Sequence, residues 1–511
     1  MSLDLQPPFV LAVDVGSSSV RASLYDRLGR PIEDTHAIRE ATLRTSADGT
    51  AEMDPHLVVD WAEQVIDEVL QRAGARGREI AAVALDTLVF AGCAVDAQGE
   101  ALTPLYTYAD TRAREEALEL RRELDFPSVY QRTGCPLHTS YMPARVRWLR
   151  RADPQAAARV RRWLPIGSLL YGRWFGDPAV PVSYSVAAWS GLLDRQALRW
   201  DAPLLRHLGL PPEALPPLAD YDQPQRGLAP EHARRWPALR EVPFFLAVGD
   251  GAAANVGSGC VSPDRVALTV GTTGAMRVVL PDAFPAVPAG LWAYKVSAAE
   301  TLLGGALTEG GNVFAWATST LRLPSASELD AALEALPPDG HGLTVLPFIA
   351  GERSPGWAND AEAAIVGLHP GTTPIEVLQA CLEAVAYRFA IISRLLGPHV
   401  AANHQVVASG GAMNASPFWV QLMADVLGRR VRLAGRAELT SRGTAILALR
   451  ALGLWTTLRD EELALSEAYD PRPGRAPVYQ AALERQHRLY ASLVGLDPEI
   501  GPTISAAVAA R

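Results

Sequence analysis

The stretch "FVLAVDVGSSSVRASLYDRLGRPI", Phe9 to Ile32, decides how the rest of the chain is read. An apolar run leads to Asp14, then come Gly16, the serines Ser17, Ser18 and Ser19, Arg21, and a second apolar run. Two strand-like segments around a short turn predict a hairpin, yet a plain hairpin needs only Asn-Gly or Asp-Gly. A turn of glycine and hydroxyls offers more. Small residues let backbone N–H groups approach an anion, hydroxyls add donors, and Arg21 can supply a cation.

The second half of the chain restarts this design. "RVALTVGTTGAMRVVL", from Arg265 to Leu280, is again an apolar strand, a Thr-rich turn between glycines, and an apolar strand. One Gly/Ser/Thr turn is a weak signal, since such turns are common in loops. Two of them, each opening a mixed α/β half, predict duplicated domains that face each other and grip the phosphates of one nucleotide.

Between and beyond the turns the pattern stays α/β. "HLVVDWAEQVIDEVLQRA" carries apolar residues at helical spacing, at Val58, Trp61, Ala62, Val65, Ile66 and Val69. "IAAVALDTLVF" and "AGCAVDAQGEAL" read as another strand pair, and "YMPARVRWLRRADPQAAARVRRW" as helical. The Pro-rich tract from Leu210 to Pro243 predicts irregular surface structure or a lead into a second domain. In "VVASGGAMNASPFWVQLMADVLG" a strand ends in Gly410-Gly411 and a helix starts near Ala415. A Gly pair there admits a planar ligand or a phosphate, or serves packing and capping alone.

Gross properties narrow the class. A chain of 511 residues, 49% hydrophobic and 20% charged, exceeds one hydrophobic core and predicts at least two domains. The net charge of −9 argues against nonspecific binding to nucleic acid or anionic membrane. Cys93, Cys135, Cys260 and Cys381 lie far apart with no CxxC pair, which predicts buried free thiols and a reducing compartment. The start lacks a basic segment ahead of its short apolar run, and no apolar stretch reaches the length of a membrane span. The expected location is cytoplasmic. Lys295 is the only lysine, and "LWAYKVSA" is no P-loop, so any ATP must be held without a Walker lysine.

The ordered blocks "DVGSSSVRA", "AEMDP", "YADTRA", "RTGCPLHTSYMPARVRWL", "AVGDGAAANVGSG", "TVGTTGAM", "EGGNVFAW", "PFIAGERSPGW" and "ASGGAMN" together resemble the FGGY family of carbohydrate kinases, within the actin-like, ribonuclease-H-like ATPases. The resemblance runs from about Phe9 to Leu454. It implies an α/β fold of two ribonuclease-H-like domains around a central cleft where ATP and a sugar meet. The expected limits are residues 1–251, 252–455 and a C-terminal helical extension 456–511. By motif match Ser17, Ser18, Ser19 and Arg21 resemble the first phosphate loop, and Thr272 and Thr273 the second. Gly311, Gly410, Gly411 and Asn414 resemble the adenosine side. Asp14 resembles the acid that holds Mg²⁺ through water. Asp250, in "AVGDGAAAN", resembles the general base that takes the proton of a sugar hydroxyl, although a bare helix N-cap would also explain it.

The acceptor is less constrained. Phe90 or Val89 stands where relatives often carry a polar sugar contact, and Gly251 where they often carry glutamine. Asp110 and Arg112 are retained. The block "TGCPLHTSYMPAR" most resembles the gluconate-kinase branch, which would turn His138, Ser140 and Tyr141 to the acceptor and offer Arg112 or Arg145 to a carboxylate. A sugar acid such as gluconate is the favoured acceptor, with a pentulose such as xylulose or another polyol as the alternative. A non-catalytic nucleotide- or sugar-binding relative, or an actin-like assembly protein, competes as a different class. The partners implied are a small carbohydrate and neither nucleic acid nor membrane. The sequence does not give the oligomeric state, and a homodimer is the commonest homo-oligomer.

Overall fold

Every residue of the strand Phe9–Val15 is buried, because the sheet it centres is covered on both faces. Leu11, Val13 and Val15 join the large core, which includes Val58, Val65, Ile66 and Val69 of the helix Pro55–Ala73. Val10 and Ala12 face the other way and join Ala82, Ala84, Ala445, Ala448 and Leu449. The computed structural model describes residues 5–281, 286–435, 438–459, 463 and 465–510.

Among the described residues a 6-stranded sheet runs in the order Pro224–Gln225, Phe244–Gly249, Ile80–Thr87, Phe9–Val15, Ser19–Tyr25, Ala37–Glu40. A 7-stranded sheet runs Trp292–Lys295, Glu300–Leu307, Gly274–Pro281, Arg265–Val270, Gln405–Ser409, Val431–Ala434, Leu465–Tyr469. Their centres have one topology. Phe9–Val15 is antiparallel to Ser19–Tyr25 and parallel to Ile80–Thr87. Arg265–Val270 is antiparallel to Gly274–Pro281 and parallel to Gln405–Ser409. The two hydroxyl turns therefore sit at corresponding corners of a duplicated unit.

A helix from the second half crosses over to the first sheet. Leu439–Ala451 packs on Phe9–Val15, on Ile80–Thr87 and on the helix Asp250–Gly257. The two helices touch backbone to backbone. A Cβ on Gly257 would collide with the Leu439 carbonyl, and one on Gly443 with the Ala253 carbonyl. Only glycine at both positions permits that approach.

Several expectations need correction. "IAAVALDTLVF" and "AGCAVDAQGEAL" do not pair: Ile80–Thr87 enters the large sheet, while Gly92–Val95 joins a separate 5-stranded sheet. The segment 141–163 is helical only over Met142–Ala152 and Pro154–Arg159, and Arg162–Pro165 is a strand against Gly92–Val95. The Pro-rich tract is not all surface, since Leu215, Tyr221, Trp236 and Leu239 are buried. Within 456–511 the helices Arg475–Leu493 and Gly501–Ala509 are joined by a strand, Leu465–Tyr469, which completes the second sheet beside Val431–Ala434. After Gly410 a short helix, Gly411–Ala415, precedes Pro417–Leu427, whose first turn is capped by Ser416. All four cysteines are free and buried.

Candidate active site

The two hydroxyl turns face one cavity of about 390 Å³, lined by Ser17 and Ser18 from one lobe and by Thr272, Thr273 and Asn312 from the other. Each turn is closed by its own backbone. Gly16 N–H donates to the Ser19 carbonyl at 3.0 Å, and Gly271 N–H to the Thr273 carbonyl at 3.0 Å. The helix Gly311–Thr320 starts directly on the second turn, with Gly311 N–H donating to the Gly271 carbonyl at 2.7 Å. A Cβ on Gly310 or Gly311 would lie 2.7 Å from a carbonyl oxygen of that turn. Gly311 thus serves backbone packing under the cavity.

Three carboxylates gather at the adjoining strand ends. Asp14 and Asp86 are register partners in parallel strands, so both project on the face that meets the helix Leu439–Ala451. Asp250 begins the helix after Phe244–Gly249, and Gly249, not Asp250, is the capping residue. Burial raises Asp14, against the pull of Arg21. Burial also drives Asp86 well above the carboxylate range, and the Asp14 charge adds to the rise. Burial pushes Asp250 up to about 7, with Arg277 opposing and Asp14 reinforcing. Thr444 Oγ1, from the crossing helix, donates to Asp86 Oδ2 at 2.7 Å. Asp86 Oδ1 is buried without a hydrogen-bond partner among the described residues. None of the three carboxylates lines the cavity, but Asp14 sits two residues before the first turn, and hard carboxylate oxygens there fit a magnesium ion.

Arg21 is committed elsewhere. Its Nε and Nη2 donate to Ser19 Oγ at 3.0 and 2.7 Å, and its Nη1 reaches Glu438 Oε1 across the lobes at 3.3 Å. Ser19 is buried under that guanidinium and, unlike Ser17 and Ser18, is not part of the cavity lining. Gly410, Gly411 and Asn414 also stand outside that lining. Gly410 holds φ +99°, and a Cβ there would strike the Val270 carbonyl, whereas Gly411 has open space.

On the acceptor side, Ser140 Oγ donates to the Tyr108 carbonyl at 2.9 Å, and Tyr141 pairs its hydroxyl with that of Tyr294 at 2.6 Å. Both line a narrow inner cavity with Tyr108, Trp189, Arg353 and Trp357. His138 lines the larger cavity, and burial lowers its pKa to about 3, so the ring is neutral. Asp110 and Arg112 line neither cavity. Arg112 is paired to Asp110 at 2.5 Å and Glu52 at 2.6 Å, and lies over Trp148. Arg145 is buried and donates to the carbonyls of Phe90, Tyr106 and Thr107. Both arginines hold scaffold rather than face the cavities.

The residues that sequence reading passed over are Asp86, Trp189, Arg277, Asn312, Arg353, Glu438 and Thr444. For Asp86 a signal exists: "VALDT" ends its strand in an acid just as "LAVDV" does, one strand over. Arg277 is four residues past the second turn's Thr273, but only the fold points it at Asp250.

Residues 9–257 match the N-terminal domain of the FGGY family of carbohydrate kinases, and residues 266–452 match its C-terminal domain. The chain is similar to a gluconokinase of Bacillus subtilis (strain 168), 24% identical over 462 residues that cover 87% of this chain and 88% of the relative. It is similar to a glycerol kinase of Stenotrophomonas maltophilia (strain R551-3), 28% identical over 506 residues that cover 95% and 97%. In structure it resembles a ligand-bound xylulose kinase from Lactobacillus acidophilus, with TM-score 0.87, 24% identity, and 95% and 98% of the two chains covered. The three names carry three different acceptors. No helix among the described residues is long and apolar enough to cross a membrane.

Proposed function

The chain belongs to the FGGY family of carbohydrate kinases, and on that premise we propose that it transfers the γ-phosphate of ATP to a hydroxyl of a sugar acid such as gluconate. As a carbohydrate kinase it is a phosphotransferase acting on a small sugar; the sugar acid, ATP with Mg²⁺, the residue roles and the division into lobes at 251/252 are the proposal. The observation that carries it is the pair of hydroxyl turns, one from each sheet, opening on one cavity, with Asp14 two residues before the first turn and interacting with both Asp86 and Asp250.

Asp250 accepts the proton of the attacking hydroxyl as that oxygen bonds to the γ-phosphorus and the bond to the leaving diphosphate breaks. A carboxylate that titrates near 7 is matched to that task. Ser17, Ser18, Thr272 and Thr273 orient the phosphates by donating to their oxygens, and alignment of this kind carries most of phosphoryl-transfer catalysis. Asp14 would hold magnesium, which when bound supplies the positive charge that offsets the phosphates. Because the turns belong to different sheets, closure of the lobes brings them together and excludes water as a competing acceptor.

The sugar-acid reading draws on the block around His138, Ser140 and Tyr141 and on the likeness to the B. subtilis gluconokinase. The test is coupled ADP release over gluconate, other aldonates, pentuloses, pentitols and glycerol. Turnover of aldonates at least tenfold above all neutral sugars is expected. Equal or better turnover of a neutral sugar overturns the sugar-acid reading, and ADP release without any sugar dependence overturns the kinase reading.

A further inference from the structure

We infer that Arg353, from the second lobe, is the cation that meets the transferring γ-phosphoryl group. The inference rests on the reading of the larger cavity as the phosphate site, and gives Arg353 the charge role that the sequence alone offers to Arg21. The chain has few candidates for it. Arg21 spends its guanidinium on Ser19 and Glu438. Lys295, the only lysine, is buried and donates its Nζ to the Ala298 carbonyl at 3.1 Å. Arg112 and Arg145 hold scaffold. Among the described residues Arg353 is the one arginine that lines either cavity, and it lines both.

Tyr108 and Ser140 are the other residues common to the two linings. They are joined to each other, with Ser140 Oγ donating to the Tyr108 carbonyl at 2.9 Å, and the Arg353 guanidinium lies over the Tyr108 ring, 4.9 Å from its centroid. The three mark the junction between the cavity of the hydroxyl turns and the inner, acceptor-side cavity. A phosphoryl group that leaves ATP for a sugar must pass such a junction. The anchor of Arg353 also ties it to the second turn. Its Nη2 donates to the Leu307 carbonyl at 2.6 Å, and Leu307 is the register partner of Gly274, the glycine that ends the turn. Opposite residues of antiparallel strands lie about 4.5–5.5 Å apart, so that anchor is one strand spacing from the turn. The Ser354 N–H donates to the Ala306 carbonyl at 3.0 Å and holds the loop on the same strand.

No carboxylate of the protein answers this charge. Glu352, next in the chain and also in the lining of the larger cavity, is ion-paired to Arg388 and accepts from Tyr490 Oη at 2.7 Å and from the Gly356 and Ala358 N–H groups. Arg353 itself makes no ion pair among the described residues. Its Nε is buried without a partner, and its Nη1 is open and unbonded. A guanidinium fixed along one edge and unpaired along the other is preorganised for an anion, and phosphate oxygens bring only acceptors to it. Arg353 offsets charge on those oxygens while the bond from phosphorus to the acceptor oxygen forms and the bond to the leaving diphosphate breaks.

A carboxylate on the acceptor is the other anion that a guanidinium would take, and the experiment separates the two. Steady-state kinetics on every acceptor that the wild type turns over, and ADP affinity by calorimetry, are measured for wild type, Arg353→Gln and Arg353→Lys. Arg353→Gln is expected to lower kcat about 10²-fold for every acceptor, charged or neutral, with acceptor KM within about threefold of wild type. ADP lacks the γ-phosphate, so its affinity should hold, and Arg353→Lys should recover part of the rate. A raised KM confined to acid acceptors, at unchanged kcat, assigns Arg353 to the acceptor's carboxylate and overturns the inference. Weaker ADP binding, or wild-type kinetics in both variants, overturns it too. Should the Gln variant not fold, the Lys variant decides by the same division between kcat and KM. Wild-type protein that releases no ADP on any sugar sinks the kinase reading and this inference together, whereas full activity in the variants sinks the inference alone.

Discussion

The two hairpins share a topology and differ in charge. In the first, Asp14 lies beside Asp86 of the neighbouring parallel strand and opposite Arg21. In the second, the corresponding Thr269 lies beside Ser409 and opposite Ala275. The hydroxyls of Thr269 and Ser409 pair at 3.1 Å and Arg277 Nη2 donates to Thr269 Oγ1 at 3.0 Å, so that corner holds paired hydroxyls and no carboxylate. At the acid pair burial raises both groups, and the two side chains interact directly with each other. Two turns of one topology face the cavity, and only the first has carboxylates at the corner of the sheet behind it.

That difference can be broken at several points. Asp250→Asn should cost the most, about 10²–10⁴-fold in kcat, with ADP binding by calorimetry unchanged. The wild-type rate should fall about tenfold per pH unit below about 7, the value to which burial has pushed this base, and the variant should lose that limb of the profile. Asp14→Asn should raise the magnesium needed for half-maximal rate by about tenfold or more, whereas Thr269→Val at the matching corner should leave it within about twofold. Equal shifts in the two variants would mean that the hairpins do not divide the labour in this way.

Smaller effects test the frame. Gly443→Ala drives a methyl into the Ala253 carbonyl and should cost about 1–3 kcal/mol in urea unfolding. A second stability effect is expected from Asp86→Asn, read as thermal stability against pH. A carboxyl whose folded pKa lies above its unfolded value contributes stability below the unfolded value, near 4, and loses it as pH rises. The variant should therefore match wild type at pH 4 and gain on it steadily toward pH 8. A constant difference at every pH would exclude Asp86 as the cause.

Legibility differed between the parts of the site. The turns could be read because a hydroxyl-rich turn is local: Gly16 to Ser18 and Gly271 to Thr273 each close on their own backbone. Arg21 could be named but not placed, since its partner Glu438 lies 417 residues away. Asp110 and Arg112 were read as acceptor contacts, yet Arg112 turns to Glu52, 60 residues back, and to the rings of Tyr106 and Trp148. Nothing in the local spacing distinguishes a guanidinium that faces a cavity from one that pins two strands.

The sequence alone determined the strand–turn–strand units, their repetition, the family, and the absence of a Walker lysine, because each depends on residues within one short stretch or on their order. Only the tertiary structure decided which charges are left unpaired. The helix Leu439–Ala451 packs on the first sheet rather than the second, which sets Thr444 on Asp86, and Gly251 gives its empty space to Arg277. Thr444 and Asp86 lie 358 residues apart, Gly251 and Arg277 belong to different elements, and the energies of both pairings arise from burial that no local stretch of sequence can express.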